Sequence, residues 1–125
     1  MNIETENKAI KLARLYEKER LGLSDTAEIK IMSKGAGYDL ESPDGRKIEV
    51  KGSEGGDINK GFVLNSGEEI DQIKSGTYIY RIINVYTKPE LYILTNKQIN
   101  ISERRRADVY VPVALQPDAV ETEAF

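Results

Sequence analysis

Three charged residues, Asp39, Glu49 and Lys51, have the types and the spacing for metal-assisted hydrolysis. Glu49 and Lys51 are two residues apart in an alternating run, so they project from one face of a strand while Val50 points into the core. The turn signal Pro43-Asp44-Gly45 precedes this run, and residues whose numbers sum to about 89 face each other across it. Asp39 is therefore expected opposite Val50, within one residue of Glu49, on an open sheet surface.

Two carboxylates on one surface repel each other, and a hard cation with oxygen ligands best offsets their joint charge. An ammonium beside them could orient or help deprotonate a metal-bound water, or neutralise charge that develops on a phosphate under attack. Alternatively, Lys47, Glu49 and Lys51 form only a solvated face, because Glu-x-Lys triplets are common on surface strands. The spacing alone leaves both interpretations open.

The composition limits which catalytic groups and which metals this site could use. The chain has no histidine and no cysteine, which excludes Ser-His-Asp and Cys-His nucleophiles and the usual zinc sites, and favours Mg²⁺ or Mn²⁺ on oxygen ligands. Its 18 basic and 21 acidic side chains give a net charge of -3, so a nucleic-acid role requires a localised basic surface. No apolar run could cross a bilayer and no signal-peptide pattern is visible, so we expect a soluble, cytoplasmic protein with no membrane partner.

Hydrophobic patterns predict the elements that position these residues. Apolar recurrence at three- and four-residue spacing predicts a helix over residues 4–20, and Gly22 stands where a helix ends. Alternation predicts strands, and the lack of any hydrophobic period predicts an exposed loop over 52–61. Strands are predicted over 27–32, 38–42, 46–51, 62–64, 77–85, 90–94 and 108–113, and further helices over 67–74 and 95–106.

The length of 125 residues suits one domain, which we place over residues 1–113. Two antiparallel hairpins are expected, one formed by 38–51 and one by 77–94. The order of helices and strands favours an α/β fold with a mixed sheet flanked by helices. The acidic tail over 114–125 is expected to fray.

The motif around these residues carries a family resemblance. Gly37-Tyr38-Asp39-Leu40-Glu41-Ser42, followed by Gly45-Arg46-Lys47-Ile48-Glu49-Val50-Lys51-Gly52-Ser53, closely resembles the signature of the NO VEIN C-terminal family. That family looks like part of the PD-(D/E)XK nuclease superfamily. The similarity extends over roughly residues 9–94. It implies a restriction-endonuclease-like core, a central mixed β-sheet flanked by helices.

The resemblance also implies roles for individual residues. Asp39, Glu49 and the Val50 carbonyl would hold Mg²⁺ or Mn²⁺, and Lys51 would be the catalytic lysine. A glutamate of the first helix would be a further catalytic and metal-binding residue. Glu17 matches the family's Tyr-Glu pair and lies at the edge of the apolar stripe, with Glu19 as its rival. Tyr38 stands where the superfamily usually has proline, a departure that the NO VEIN pattern shares.

Other polar residues are candidates for contact with nucleic acid. Arg104, Arg105 and Arg106 form the densest basic run and could meet a phosphate backbone, or could be an ordinary solvated run. Lys60 could hold substrate, and Ser53 could contact a phosphate or cap its turn. Three tyrosines could stack on bases or pack as strand aromatics: Tyr78, Tyr80 and Tyr86.

The expected activity is that of a metal-dependent endonuclease, a deoxyribonuclease that leaves a 5′-phosphate. The alternative is a catalytically silent nuclease-fold module that binds nucleic acid or a protein partner. A third interpretation is a subunit of a larger defence or restriction complex. DNA is the expected partner, and a homodimer is expected only by analogy with other small nucleases.

Overall fold

A computed structural model describes residues 3–33, 35–56, 62–64, 75–95, 102–103, 109–111 and 120–121. Within them the chain has one helix and nine strands, assembled as two sheets. No helix in this part of the chain is long and apolar enough to span a membrane. The architecture is α/β, with the helix packed against a mixed sheet.

The helix, α1, runs over Ile3–Leu21, which confirms the first predicted element. It ends because Gly22 adopts a positive φ of 67°. The Gly22 amide donates to the Glu19 carbonyl at 3.2 Å and the Leu23 amide donates to the Lys18 carbonyl at 2.9 Å. This pair of bonds satisfies carbonyls that would otherwise end the helix without partners.

The larger sheet has six strands in the order β1-β2-β3-β5-β6-β9, and the smaller has three in the order β4-β8-β7. Strands β3 and β5 are parallel, and every other neighbouring pair is antiparallel. The strands are β1 Lys30–Ile31, β2 Leu40–Glu41, β3 Lys47–Gly52, β4 Phe62–Leu64, β5 Tyr78–Ile83, β6 Glu90–Leu94, β7 Ser102–Glu103, β8 Val109–Val111 and β9 Val120–Glu121.

Small residues let α1 lie directly on β3. Ala9 and Ala13 are fully buried, and a Cβ added to Gly52 would lie 2.5 Å from the Cβ of Ala9. Alternate residues of β3 and β5, including Val50 and Tyr80, complete the core on this face. The face of β3 that carries Val50 is therefore the helix-covered face. The side chains of the intervening residues of β3 point away from α1.

Both predicted hairpins are confirmed, with β2 paired to β3 and β5 paired to β6. The strand predicted over 27–32 is shorter, covering only Lys30–Ile31. Asp25 accepts a hydrogen bond from the Ala27 amide at 2.8 Å, and Arg14 donates to the carbonyl oxygens of Thr26 and Ile29. These side chains satisfy backbone groups locally, so the preceding residues form turns instead of extending the strand.

Three predictions concern residues beyond β4. The helix predicted over 95–106 is wrong at Ser102–Glu103, because those residues pair antiparallel with β8. Of the tail over 114–125, the structure describes Val120–Glu121, which pair with β6; the expectation that the tail frays stays a prediction. The helix predicted over 67–74 lies outside the described residues.

Candidate functional site

The hairpin of β2 and β3 brings Asp39 beside Glu49. Gly45 adopts a φ of 93° and its amide donates to the Ser42 carbonyl at 2.9 Å, which closes the turn. Leu40 pairs with Ile48, so facing residues sum to 88, within one of the expected value. Continued by one residue, this register places Asp39 next to Glu49.

Asp39 is held on both sides at the end of β2. Its amide donates to the Ile48 carbonyl at 2.9 Å, and its own carbonyl accepts the Met32 amide at 2.8 Å. Its carboxylate oxygen Oδ2 accepts the Val50 amide at 2.8 Å. The side chain therefore lies against β3 and is half-buried.

Glu49 and Lys51 form a buried ion pair on the face that points away from α1. Their residues are only 5% and 7% exposed, and Lys51 Nζ lies 3.0 Å from Glu49 Oε2. Arg81 is the register partner of Lys51 on β5 and donates from Nη1 to the Lys51 carbonyl at 3.4 Å. The expected open surface is therefore wrong at this pair, because β3 is a central strand that is buried on both faces.

Glu17 lies on the opposite, helix-covered face and is fully buried. Its carboxylate accepts hydrogen bonds from Nη2 and Nε of Arg20, at 2.6 and 2.8 Å, from the Ser42 hydroxyl at 2.7 Å and from the Tyr80 hydroxyl at 2.5 Å. Burial alone would raise the pKa of Glu17, but the hydrogen bonds from Arg20, Tyr80 and Ser42 outweigh it and hold the pKa below its ordinary value. Burial and the adjacent Glu17 carboxylate raise the pKa of Tyr80.

The structure therefore brings together Asp39, Glu49 and Lys51 but does not bring Glu17 to them. Four donors already occupy the two oxygens of Glu17, and its partner Tyr80 shares the face of Val50. A metal-ligand role for Glu17 finds no geometric support, because its carboxylate points to the other side of the sheet. The rival Glu19 is exposed on α1.

Sequence reasoning missed the partners of Glu17. Arg20 follows it by three residues, a spacing at which opposite charges meet on a helix, so this contact had a local signal. Arg20 also forms an ion pair with Asp44 at 3.0 Å, which ties α1 to the hairpin turn. Ser42 and Tyr80 gave no such signal, because they lie 25 and 63 residues away.

The weaker candidates divide into three groups. The Ser53 hydroxyl donates to the Gly55 carbonyl at 3.1 Å, so it caps its own loop. Tyr80 is buried in the core, Tyr78 is half-buried, and Tyr86 is 48% exposed with its hydroxyl 3.1 Å from that of Thr5. Four residues lie outside the described part of the chain: Lys60, Arg104, Arg105 and Arg106.

The carboxylates of Asp39 and Glu49 are hard oxygen donors. Among the described residues no group of three or more acidic side chains clusters, and Asp39 with Glu49 supplies two carboxylates. Such a set fits Mg²⁺, which keeps several waters and takes only one or two carboxylates from a protein. The ligand role of the Val50 carbonyl stays a prediction.

Comparison with known proteins gives one match. The family model described as "Protein NO VEIN, C-terminal" matches residues 5–94, well over half of the chain, from the third residue of α1 to the end of β6. No curated protein and no solved structure matches the chain. The matched range contains the hairpin with Asp39, Glu49 and Lys51, and the chain therefore belongs to the NO VEIN C-terminal family.

Proposed function

We propose that this chain is a Mg²⁺-dependent endonuclease of the PD-(D/E)XK type that hydrolyses DNA phosphodiester bonds. One observation carries the proposal: Asp39 lies at the end of β2, bonded to the Val50 amide at 2.8 Å, beside the Glu49-Val50-Lys51 segment of β3. The order of elements also supports the proposal. A restriction-endonuclease-like core is expected to contain a helix, an antiparallel hairpin and a parallel strand, and α1, the β2–β3 hairpin and β5 have these forms.

Asp39, Glu49 and the Val50 carbonyl are the groups that would hold the cation. When bound, Mg²⁺ supplies Lewis-acid stabilisation of the developing charge and lowers the pKa of a coordinated water. Lys51 lies on the same face as Glu49, where its ammonium can donate to the attacking water or to a phosphate oxygen. For this, the 3.0 Å contact between Lys51 and Glu49 must open, which frees the Glu49 carboxylate.

Glu17 is left out of this set. Its four donors tie α1 to the hairpin turn and to β5. We assign it the task of holding the helix on the sheet, so that the hairpin carries Asp39 and Glu49 in a fixed register.

The second candidate is a catalytically silent module with this fold that binds nucleic acid or a protein partner. The observation in its favour is the burial of Glu49 and Lys51, which are 5% and 7% exposed and already neutralise each other. A buried ion pair of this kind can be a stable structural unit without a substrate.

A nuclease assay tests the enzyme. Single-stranded, duplex and supercoiled DNA are incubated with Mg²⁺ or Mn²⁺ and wild type, Asp39→Asn or Lys51→Ala protein. Lys30→Ala is the matched control, because Lys30 is an exposed lysine on β1. We expect cleavage by wild type and Lys30→Ala and its loss in the other two. Cleavage that survives in Asp39→Asn and Lys51→Ala would overturn the assignment.

Calorimetry separates the two candidates. Titration of Mg²⁺ and of Mn²⁺ into wild type should give a binding isotherm that Asp39→Asn lacks. Absence of any metal binding, together with retained binding of DNA or of a protein partner, would favour the silent module. Light scattering on the same samples tests the homodimer expected by analogy, and co-purification tests membership of a larger complex.

A further inference from the structure

Arg81 lies in β5 on the same face of the sheet as Glu49 and Lys51. It is the register partner of Lys51 across the parallel pair of β3 and β5. Its neighbours along the strand, Tyr80 and Ile82, both belong to the core on the helix-covered face. Because successive side chains of a strand alternate, the side chain of Arg81 projects from the other face, where Glu49 and Lys51 form their ion pair.

Arg81 is buried, and its side chain reaches across to β3. It is 4% exposed, and its Nη1 donates to the Lys51 carbonyl at 3.4 Å. Its Nε is also buried and has no hydrogen-bond acceptor among the described residues. A buried N–H group of a charged side chain is costly when no acceptor meets it. A guanidinium presents a planar fork of N–H groups that matches the oxygens of a phosphate, so Nε is a donor that an anion in this site can use.

Four charged side chains lie on this face around the proposed metal site. Asp39 and Glu49 carry two negative charges, and Lys51 and Arg81 carry two positive charges. With strands about 4.8 Å apart and a rise of about 3.3 Å per residue, the Cα of Arg81 lies roughly 8 Å from that of Glu49. These four charges balance one another before any metal binds.

The other charged side chains described on the strands of this face are exposed or distant. Glu41 faces Lys30 on one side and Lys47 on the other, and both lysines are exposed, so solvent screens their charges. Glu90, on β6, is two strands away from Glu49, and the same spacings put its Cα roughly 16 Å from that of Glu49. Salt largely screens a charge at that distance.

A divalent cation held by Asp39 and Glu49 would bring two further positive charges next to Lys51 and Arg81. These two residues are only 7% and 4% exposed, so water screens the repulsion poorly. An anion that enters with the cation offsets this excess of positive charge. A phosphodiester has one negative charge and two non-bridging oxygens, of which one can contact the cation while the other accepts a hydrogen bond from Nε of Arg81. The charge of Arg81 therefore opposes the cation alone and favours the cation together with an anion.

We propose that Arg81 binds the phosphodiester anion beside the metal site and makes the binding of the divalent cation depend on that anion. The identity of the cation and of the anion rests on the proposed function, whereas the position of Arg81 rests on its register with Lys51 and on its burial. Because coupling between two sites is reciprocal, the cation strengthens the binding of the anion by the same factor.

Calorimetric titration of Mn²⁺ tests the coupling with two small phosphate esters. Dimethyl phosphate is a phosphodiester monoanion with no sugar or base, and trimethyl phosphate has a similar shape without the charge. At constant ionic strength, we expect dimethyl phosphate to lower the Kd of Mn²⁺ for wild type about ten-fold, within the range usual for coupled sites. Trimethyl phosphate should leave the Kd unchanged.

Arg81→Met separates this role from a structural one, because it removes the buried charge and keeps a long, unbranched side chain. We expect the variant to bind Mn²⁺ alone about ten-fold more tightly than wild type, since one repelling charge is gone, and to lose the effect of dimethyl phosphate. A residue that only held the structure together would weaken Mn²⁺ binding when replaced. Lys30→Met is the matched control, because it removes one positive charge at an exposed position of β1, and it should behave as wild type.

The Nε–Hε signal of Arg81 in the NMR spectrum gives a second readout, on wild type, that does not require Arg81→Met to fold. The signal is identified by its absence in Arg81→Lys. It should shift when Mg²⁺ and dimethyl phosphate are added together, and should stay in place when trimethyl phosphate replaces dimethyl phosphate.

Three results would each overturn the inference: weaker or unchanged Mn²⁺ binding in folded Arg81→Met, equal effects of the two esters on wild type, or an Nε–Hε signal that does not move. Absence of Mn²⁺ binding under every condition would overturn the proposed function as well. Coupled binding of Mn²⁺ and dimethyl phosphate without cleavage of DNA would contradict the proposed function alone, because neither the calorimetry nor the spectra depend on cleavage.

Discussion

Two buried carboxylates lie on opposite faces of the same sheet, and their partners differ. Glu17, on the helix-covered face, is held by the two-pronged guanidinium of Arg20 and by two hydroxyl groups. Glu49, on the other face, meets Lys51 through a 3.0 Å contact between Nζ and Oε2. Their exposures, 0% and 5%, hardly differ, so burial does not distinguish them.

The two carboxylates differ in the basic residue that each one contacts. Arginine presents a rigid planar fork that matches a carboxylate with two parallel bonds, whereas lysine is a point charge on a flexible chain. A divalent cation can replace a single ammonium contact more readily than a bidentate pair flanked by two hydroxyls. The contacts of Glu17 support a structural role, and the proposed function gives the reactive role to Glu49; four experiments test this difference.

The largest expected effect is on the Glu17 side. Glu17→Ala should lower the free energy of unfolding by about 3–5 kcal/mol, because it leaves Arg20, Ser42 and Tyr80 without their shared acceptor. Urea denaturation measures the change. Glu19→Ala, at an exposed position of the same helix, should stay within about 0.5 kcal/mol of wild type. A loss below about 1 kcal/mol in Glu17→Ala would contradict the structural role.

The second effect is the stabilisation by metal. Mg²⁺ at 100 times its Kd should raise the free energy of unfolding by about 2.7 kcal/mol, because it binds the folded chain alone. Asp39→Asn should lose this increment. Glu17→Gln should keep it on a less stable background, because Glu17 lies on the other face. If Glu17→Gln abolishes the increment and Asp39→Asn does not, the two carboxylates have been assigned the wrong way round.

The third effect concerns the contact of α1 with β3. Gly52→Ala should cost about 1–3 kcal/mol, because the added Cβ would lie 2.5 Å from that of Ala9 and one of the two backbones must move. Thermal unfolding measures the change. Gly55→Ala is the matched control, since a Cβ there meets nothing within 4 Å. Equal stabilities of the two variants would show that the helix does not lie against the strand as described.

The smallest effect is the dependence on pH. The lowered pKa of Glu17 means that the unfolded chain binds more protons at this group. Its contribution is therefore complete above the ordinary value near 4.5 and is lost as the pH falls through the lowered folded value. The stability of wild type relative to Glu17→Gln should fall by at most about 1.4 kcal/mol per pH unit in that range. A difference that is constant with pH would contradict this sign.

The hairpin was predictable from the sequence because its determinants are local. The Pro43–Gly45 turn fixes the register, and alternation fixes which residues share a face, so Asp39, Glu49 and Lys51 were predicted as neighbours. Which sheet face the helix covers is not local information. The placement of Glu17 needed Tyr80, which lies 63 residues further along the chain.

The burial of Glu49 and Lys51 was also beyond local reasoning. An alternating strand with charges on one face is typical of a sheet with one solvated side. Here β3 lies between β2 and β5, and both of its faces are buried. Glu49 and Lys51 neutralise each other on the buried face of β3. The alternation of charged and apolar residues predicts an exposed face, but here it reflects this ion pair.

The parallel pairing of β3 with β5 has a consequence for the kinetics of folding. Leu40 and Ile48 are 8 residues apart, whereas Ile48 and Tyr78 are 30 apart. Closing the longer connection costs about 1 kcal/mol more in chain entropy, and non-local pairings of this kind slow folding. We expect Asp39 to meet Glu49 in an early hairpin, while Arg81 reaches Lys51 in a later, slower step.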